Sequence, residues 1–275
     1  MQPLAGTKLV TIAFNLPGPA AVGRLHQYGA SVIKVEPPSG DPLKLGCPAL
    51  YDELLGQQQV VALNLKDAAD RARLDEHLAA ADVLVTSSLP SSLARMNLAW
   101  ERLHADFPRL CQVAIIGYPP PDDELMGHDL TYQASVGLVR PPAMPATLLG
   151  DMAGAQQAVT ETFAVLAERQ RTGAGVLAIV PIASALDFFT LPLHHGMTVE
   201  GGYLGGALPN YNLYPTRSGW LAVAALEPQF WARLRELLNL TAGTYDELKA
   251  ALSARTAAEW EAWAAEHRLP LGEVK

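Results

Sequence analysis

Apolar positions along the first 116 residues fall into short runs that alternate with stretches of helical spacing. Leu9-Val10-Thr11-Ile12-Ala13-Phe14 is the first run and reads as a buried strand. Pro17-Gly18-Pro19 breaks it; the spacing of Val22, Leu25 and His26 then predicts a helix over 20–28, closed by Gly29. Ser31 to Val35 reads as the next strand. Strand, helix and strand within about 30 residues make a βαβ unit, which implies a parallel sheet. After a loop from Glu36 to Pro42 the alternation continues, with strands over 60–65, 83–85 and 110–116 and helices over 68–79 and 99–107. The fold class is therefore α/β, with a Rossmann-like parallel sheet. In such sheets ligands sit beyond the carboxyl ends of the strands, so the loops after Phe14, Val35, Val85 and Ile116 are the expected pocket walls, by analogy with the fold.

Gly117 to Gly127 is rich in proline and acid and reads as an exposed loop. A helix over 130–138, a long helix over 151–171 closed by Gly173, a strand over 176–182 and a helix over 183–191 follow. Gly201, Gly202, Gly205 and Gly206 read as a flexible linker, which divides the chain into a large domain, 1–200, and a smaller C-terminal α+β lobe, 201–275. The lobe is expected to begin with Tyr211 to Pro215 and to hold a strand over 221–225 and helices near 228–239, 244–253 and 257–267, with Tyr203, Tyr211, Tyr214 and Trp220 in its core.

Composition narrows the function. The 275 residues are 49% hydrophobic, enough for one sizeable core or a core and a small lobe. A net charge of −8 without a basic block disfavours a nucleic-acid partner. Cys47 and Cys111 form neither a disulfide framework nor a metal-ligand spacing, which fits a reduced, cytoplasmic setting. The N-terminus shows no signal-peptide pattern. The longest apolar run, Val176 to Leu186, contains Pro181 and is too short to span a bilayer. No G-x-G-x-x-G follows the first strand, and no Walker or G-x-S-x-G motif appears. His194-His195 has no partner at metal spacing and reads as structural, so no metal site is expected.

The candidate chemistry centres on Gly127-His128-Asp129-Leu130-Thr131-Tyr132 and Leu148-Leu149-Gly150-Asp151. Asp151 stands where a helix begins, as an N-cap or as a carboxylate held ionised by the dipole to act as base or nucleophile. Asp129 reads as the N-cap of the preceding helix, which puts His128 just outside it, where backbone donors converge on an oxyanion. Glu227 ends an apolar strand before Pro228, as a strand-end acid or a helix N-cap.

Taken together, the pieces resemble the class III CoA-transferase family, closest to its 2-methylacyl-CoA racemase branch. They include Pro3-Leu4-Ala5-Gly6, Pro17-Gly18-Pro19, the run from Gly29 to Pro38, Gly40-Asp41-Pro42, Ala62-Leu63-Asn64-Leu65-Lys66, Gly127-His128-Asp129-Leu130, Leu148-Leu149-Gly150-Asp151 and Leu226-Glu227-Pro228-Gln229-Phe230. The resemblance implies an enzyme acting on an acyl-CoA thioester, usually as an interlocked homodimer, with coenzyme A part of the substrate and no separate cofactor. In transferases the aspartate matching Asp151 takes the acyl group as a mixed anhydride. In racemases it is one of two proton-transfer groups, facing the histidine matching His128, which the glutamate matching Glu227 holds. The resemblance also places Ala62, Leu63, Asn64, Leu65, Val85, Gly127, Asp129 and Tyr132 around CoA. The chain departs from the family at Gly56-Gln57-Gln58-Gln59 and Thr86-Ser87-Ser88-Leu89-Pro90, where basic or Asn-Phe-Arg-like stretches usually help to hold phosphate. Lys34, Lys44 and Arg140 are the expected partial replacements. The family's C-terminal return to the large domain is expected to be missing. A racemase-like proton transfer is the first expectation, a CoA transferase the second, and a non-catalytic relative with weakened CoA binding the third.

Overall fold

Apolar runs that are buried on both faces make the core of the larger of two sheets. The structure is a computed structural model that describes residues 1–275. It divides into two compact units, Met1–Phe189 and Thr190–Lys275, so the division falls before the glycine-rich turns where the sequence placed it. No helix is long and apolar enough to cross a membrane.

The first unit carries β1 (Lys8–Thr11), β2 (Ser31–Glu36), β3 (Gln59–Ala62), β4 (Val83–Thr86), β5 (Cys111–Ile116) and β6 (Leu177–Pro181). All pair in parallel, in the order β3-β2-β1-β4-β5-β6. Successive residues serve opposite faces: Val83 and Val85 of β4 join one cluster of buried residues, and Leu84 joins another. The first cluster packs β1, β4 and β5 against α1 (Pro17–Gln27), the long helix α8 (Leu149–Thr172) and α9 (Ile182–Phe189). The second includes residues of α4 (Ala68–Ala79), α5 (Pro90–Arg95) and α6 (Trp100–Asp106). Helices on both faces explain why the central strands β4 and β5 are buried at every position rather than alternating.

Strand order reverses between β1 and β4, and the loops that leave those two strands meet: the Phe14 N–H donates to Ser87 Oγ at 2.9 Å. This is the switch point at which open α/β sheets form their crevice.

Two short helices, α2 (Pro42–Gly46) and α3 (Pro48–Leu55), occupy a stretch to which the sequence assigned no element. They cover a buried charged cluster. Lys34 on β2 is 3% exposed and lies 2.5 Å from Asp41 Oδ2 and 2.9 Å from Glu36 Oε1. Tyr51 donates to the same Glu36 oxygen at 2.7 Å, and burial, with Glu36 beside it, pushes its phenol up. Lys34 was expected to face phosphate. Its burial between two carboxylates rules that out, because an ammonium removed from water is tolerated only with its charge matched in place.

The second unit has an antiparallel sheet, β7-β8-β9, from β7 (Tyr211–Pro215), β8 (Trp220–Ala224) and β9 (Leu271–Glu273). α10 (Leu191–His194) opens the unit, and α11 (Pro228–Leu238), α12 (Tyr245–Leu252) and α13 (Ala257–His267) share the core of the sheet. Tyr214, Leu221, Leu248 and Trp260 lie in its core. Of the aromatic residues expected there, Tyr214 is fully buried, Tyr211 is half-buried, and Tyr203 and Trp220 are exposed.

Candidate active site

Two clefts open beyond the carboxyl ends of the parallel strands. The first, about 190 Å³, is walled by Phe14 and Asn15 after β1, Ser87 and Ser88 after β4, Gly117 after β5 and Ile182 after β6. His128, Asp151, Gly127 and Tyr132 complete it. The second, about 210 Å³, is walled by Pro37 after β2, Leu63, Asn64, Leu65 and Lys66 after β3, and Met96. Phe14 and Ser88 line both, so the clefts adjoin.

His128 and Asp151 reach the first cleft from the first turns of two helices. α7 (Asp129–Ser135) has His128, not Asp129, as its N-cap; the His128 N–H donates to Thr131 Oγ1 at 3.1 Å. Asp151 is the third residue of α8, and Leu148 is the N-cap, so the carboxylate stands inside the first turn rather than before it. The cap that α8 lacks locally comes from α7. Asp129 Oδ1 accepts the Asp151 N–H at 3.0 Å, and Oδ2 accepts Gln133 Nε2 at 2.6 Å. Asp129 is 4% exposed, and its carboxylate is absent from the residues that line either cleft.

Electrostatics set the Asp151 carboxyl apart. Burial first, and the neighbouring Asp129 charge second, raise it to about 6, while His128 acts in the opposite sense. Each cause disfavours or favours the ionised form in the ordinary way. Burial likewise raises the Tyr132 phenol to about 12, with Tyr118, Asp151 and Asp129 adding to it, so the hydroxyl stays protonated near neutrality. The Tyr132 ring explains two glycines: a Cβ at Gly127 would stand 2.6 Å from its Cε1, and one at Gly117 would stand 2.6 Å from its hydroxyl.

The remaining sequence candidates fall in different places. Leu63, Asn64 and Leu65 line the second cleft, and Ala62 is exposed at the end of β3. Val85 is fully buried within β4 and packs in the core. Glu227 is exposed in the second unit as the N-cap of α11, with no side-chain cap bond. Lys44 and Arg140 are exposed, and neither lines either cleft. The loops after Phe14 and Val85, expected as pocket walls, do wall the clefts through Asn15, Ser87 and Ser88, although neither these residues nor Phe14 and Lys66 were singled out as site residues. Asn15 carried a signal only in hindsight: it follows a strand and takes φ 63°, a left-handed conformation that asparagine tolerates better than most residues.

Comparison with known proteins agrees with this architecture. The sequence profile of CoA-transferase family III matches residues 4–275. Succinyl-CoA:glutarate CoA-transferase of Mus musculus is 27% identical over 263 residues, covering 87% of this chain and 60% of that protein. Alpha-methylacyl-CoA racemase of Mus musculus is 29% identical over 275 residues, covering 94% and 68%. The chain thus spans about 60% of the length of the first and about two thirds of the second. A crystal structure of a hypothetical protein from Mycobacterium tuberculosis superposes with a TM-score of 0.86 at 22% identity, over 98% of this chain and 84% of that one, a likeness of fold.

Proposed function

The chain belongs to CoA-transferase family III, and from that membership we propose that it moves a proton at the α-carbon of a 2-methylacyl-CoA thioester, in the manner of the racemase branch. The observation that carries this reading is the placing of His128 and Asp151 on the walls of one cleft. Racemisation needs one proton-transfer group on each face of the α-carbon. One group takes the proton as the C–H bond breaks, and the electron pair moves onto the thioester oxygen to give an enolate. The other returns a proton to the opposite face. A carboxyl raised to about 6 suits either role near neutral pH. The developing oxyanion needs hydrogen-bond donors, which backbone N–H groups at a helix start supply.

The second cleft is assigned to coenzyme A. Its aliphatic walls suit the methyl and methylene groups of the linker arm, Asn64 and Ser88 suit its amides, and Lys66 supplies a cation for phosphate. The homodimer of the family is part of the same proposal, as is the support of His128 by Glu227. Glu227→Gln is expected to lower α-proton exchange roughly tenfold while leaving CoA affinity unchanged; unchanged exchange removes it from the site.

A second reading uses the same aspartate as the nucleophile of a CoA transferase, and the named transferase among the relatives favours keeping it. Incubation of 2-methylacyl-CoA in D2O separates the two. Deuterium at the α-carbon without an acceptor acid is the expected result. CoA passing to a free carboxylate with no α-exchange supports the transferase. Neither activity, together with millimolar or absent CoA binding by calorimetry, supports a non-catalytic relative.

A further inference from the structure

We propose that Asp129 is a positioning residue of the proton-transfer site, bracing the first turn of α8 against the first turn of α7 so that Asp151 is held opposite His128. The proposal rests on the proton-transfer reading for its consequence in catalysis, but the brace itself is geometric. Asp129 directly follows His128, and its Oδ1 accepts the Asp151 backbone N–H at 3.0 Å. One carboxylate therefore spans the two residues assigned to the chemistry. Its other oxygen accepts Gln133 Nε2 at 2.6 Å, and the same amide donates to the Thr147 carbonyl at 2.8 Å, two residues before α8 begins. Asp129 and Gln133 thus tie both the entry of α8 and its third residue to α7.

The approach is close because Gly150 permits it. A Cβ there would stand 3.1 Å from Asp129 Oδ1 and 3.5 Å from both Leu186 Cδ2 and Tyr132 Cβ. At 4% exposure the Asp129 side chain is shut away from solvent. The positive ends of two helix dipoles offset the cost of burying its charge.

The brace has an electrostatic consequence. The groups that act on Asp151 are Asp129, which raises it, and His128, which lowers it; the Tyr132 phenol responds to both carboxylates. Replacing the Asp129 charge with a neutral group of the same shape should let Asp151 ionise at lower pH. A misplacement of about 1 Å at a reacting group costs on the order of 10²-fold in rate, so loss of the brace is expected to appear in kcat rather than KM.

Two variants test this in the full chain, with folding monitored by thermal unfolding. For Asp129→Asn the expected results are a roughly 10- to 100-fold fall in kcat for α-proton exchange, KM within about twofold of wild type, and a shift of the Asp151-controlled limb of the pH profile to lower pH. The Asp151 carboxyl, followed by carbon NMR, should titrate at lower pH in the same variant whether or not exchange is detected. Gly150→Ala pushes on the brace without removing its charge, and should lower kcat while leaving the pH limb in place. A folded Asp129→Asn with wild-type kcat and an unmoved Asp151 titration overturns the proposal. A moved titration in a protein whose wild type exchanges no α-proton keeps the brace and overturns the proton-transfer reading instead. If Asp129→Asn does not fold, an unchanged kcat in Gly150→Ala overturns the proposal.

Discussion

Asp151→Asn is expected to lower α-proton exchange by roughly 10²–10⁴-fold and, at pH 8, to make the fold more stable. The two outcomes share one cause. Burial, and then Asp129, raise the Asp151 carboxyl in the folded protein from 3.8 to about 6. The folded state therefore holds this proton more tightly than the unfolded chain. Stability from Asp151 is fully present below about pH 4 and is lost as pH rises through about 6. At pH 8 the wild type carries a poorly solvated carboxylate, which an asparagine of the same size does not. Taken whole, the raised titration is equivalent to about 3 kcal/mol. The side chain is only partly buried, so solvent screening reduces this to about 1–2 kcal/mol. Urea unfolding of both proteins across pH 4–8 reads the effect. The gain should shrink to nothing near pH 4. A variant less stable at pH 8, or a difference independent of pH, would show that the carboxylate is well solvated and not tuned for proton transfer. A functional residue that costs stability is the pattern expected where activity and stability compete.

How far the sequence disclosed this arrangement depended on which forces fix each part. β4 and β5 were legible because both faces of the sheet are covered there, so each is a continuous apolar run, and β1, β2 and β6 because their runs are mostly apolar. β3 ends at Ala62, short of the expected Leu65, because Leu63 to Lys66 leave the sheet to wall the second cleft. α3 is eight residues long and fully buries only Tyr51, with Leu50 and Leu54 half-buried beside it, and β9 is three residues long and pairs only with β8, so both are short local signals. At the candidate site the motifs were legible and their capping was not. Asp129 has the chemistry of an N-cap, yet it serves the helix after the next loop, and His128 takes the N-cap position instead. Such a cap depends on tertiary approach, which no spacing rule within one helix reports. Lys34 misled for a related reason. A lysine among apolar strand residues reads as exposed unless its partners are known, and one of them, Asp41, lies beyond a loop.

Lys34→Met should lower stability by about 3–5 kcal/mol, because it leaves a buried ion cluster without its cation. Asp41 and Glu36 have side-chain exposures of 0% and 7%, and the ammonium contacts both. The methionine would fill the space but match neither charge. Measured against a typical total of about 5–15 kcal/mol, the loss is large. It should also reach the cleft. Asp41 Oδ1 accepts the Asn15 N–H at 3.1 Å and the Leu43 N–H at 2.9 Å, and Asn15 holds a left-handed conformation on the wall of the first cleft. A residue in that region costs about 1–2 kcal/mol to hold there, and needs surrounding bonds to persist. With the cluster disrupted, the turn after β1 loses its anchor and Phe14, which lines both clefts, is free to move. Lys44→Met serves as the control: its side chain is exposed, with only its ammonium over the Tyr51 ring, and the change should stay within about 1 kcal/mol. CoA titration beside the unfolding measurement checks the structural role of Lys34. A phosphate ligand would lose CoA affinity at unchanged unfolding free energy, whereas the structural cation loses unfolding free energy first, and the urea midpoints of the two lysine variants should differ accordingly.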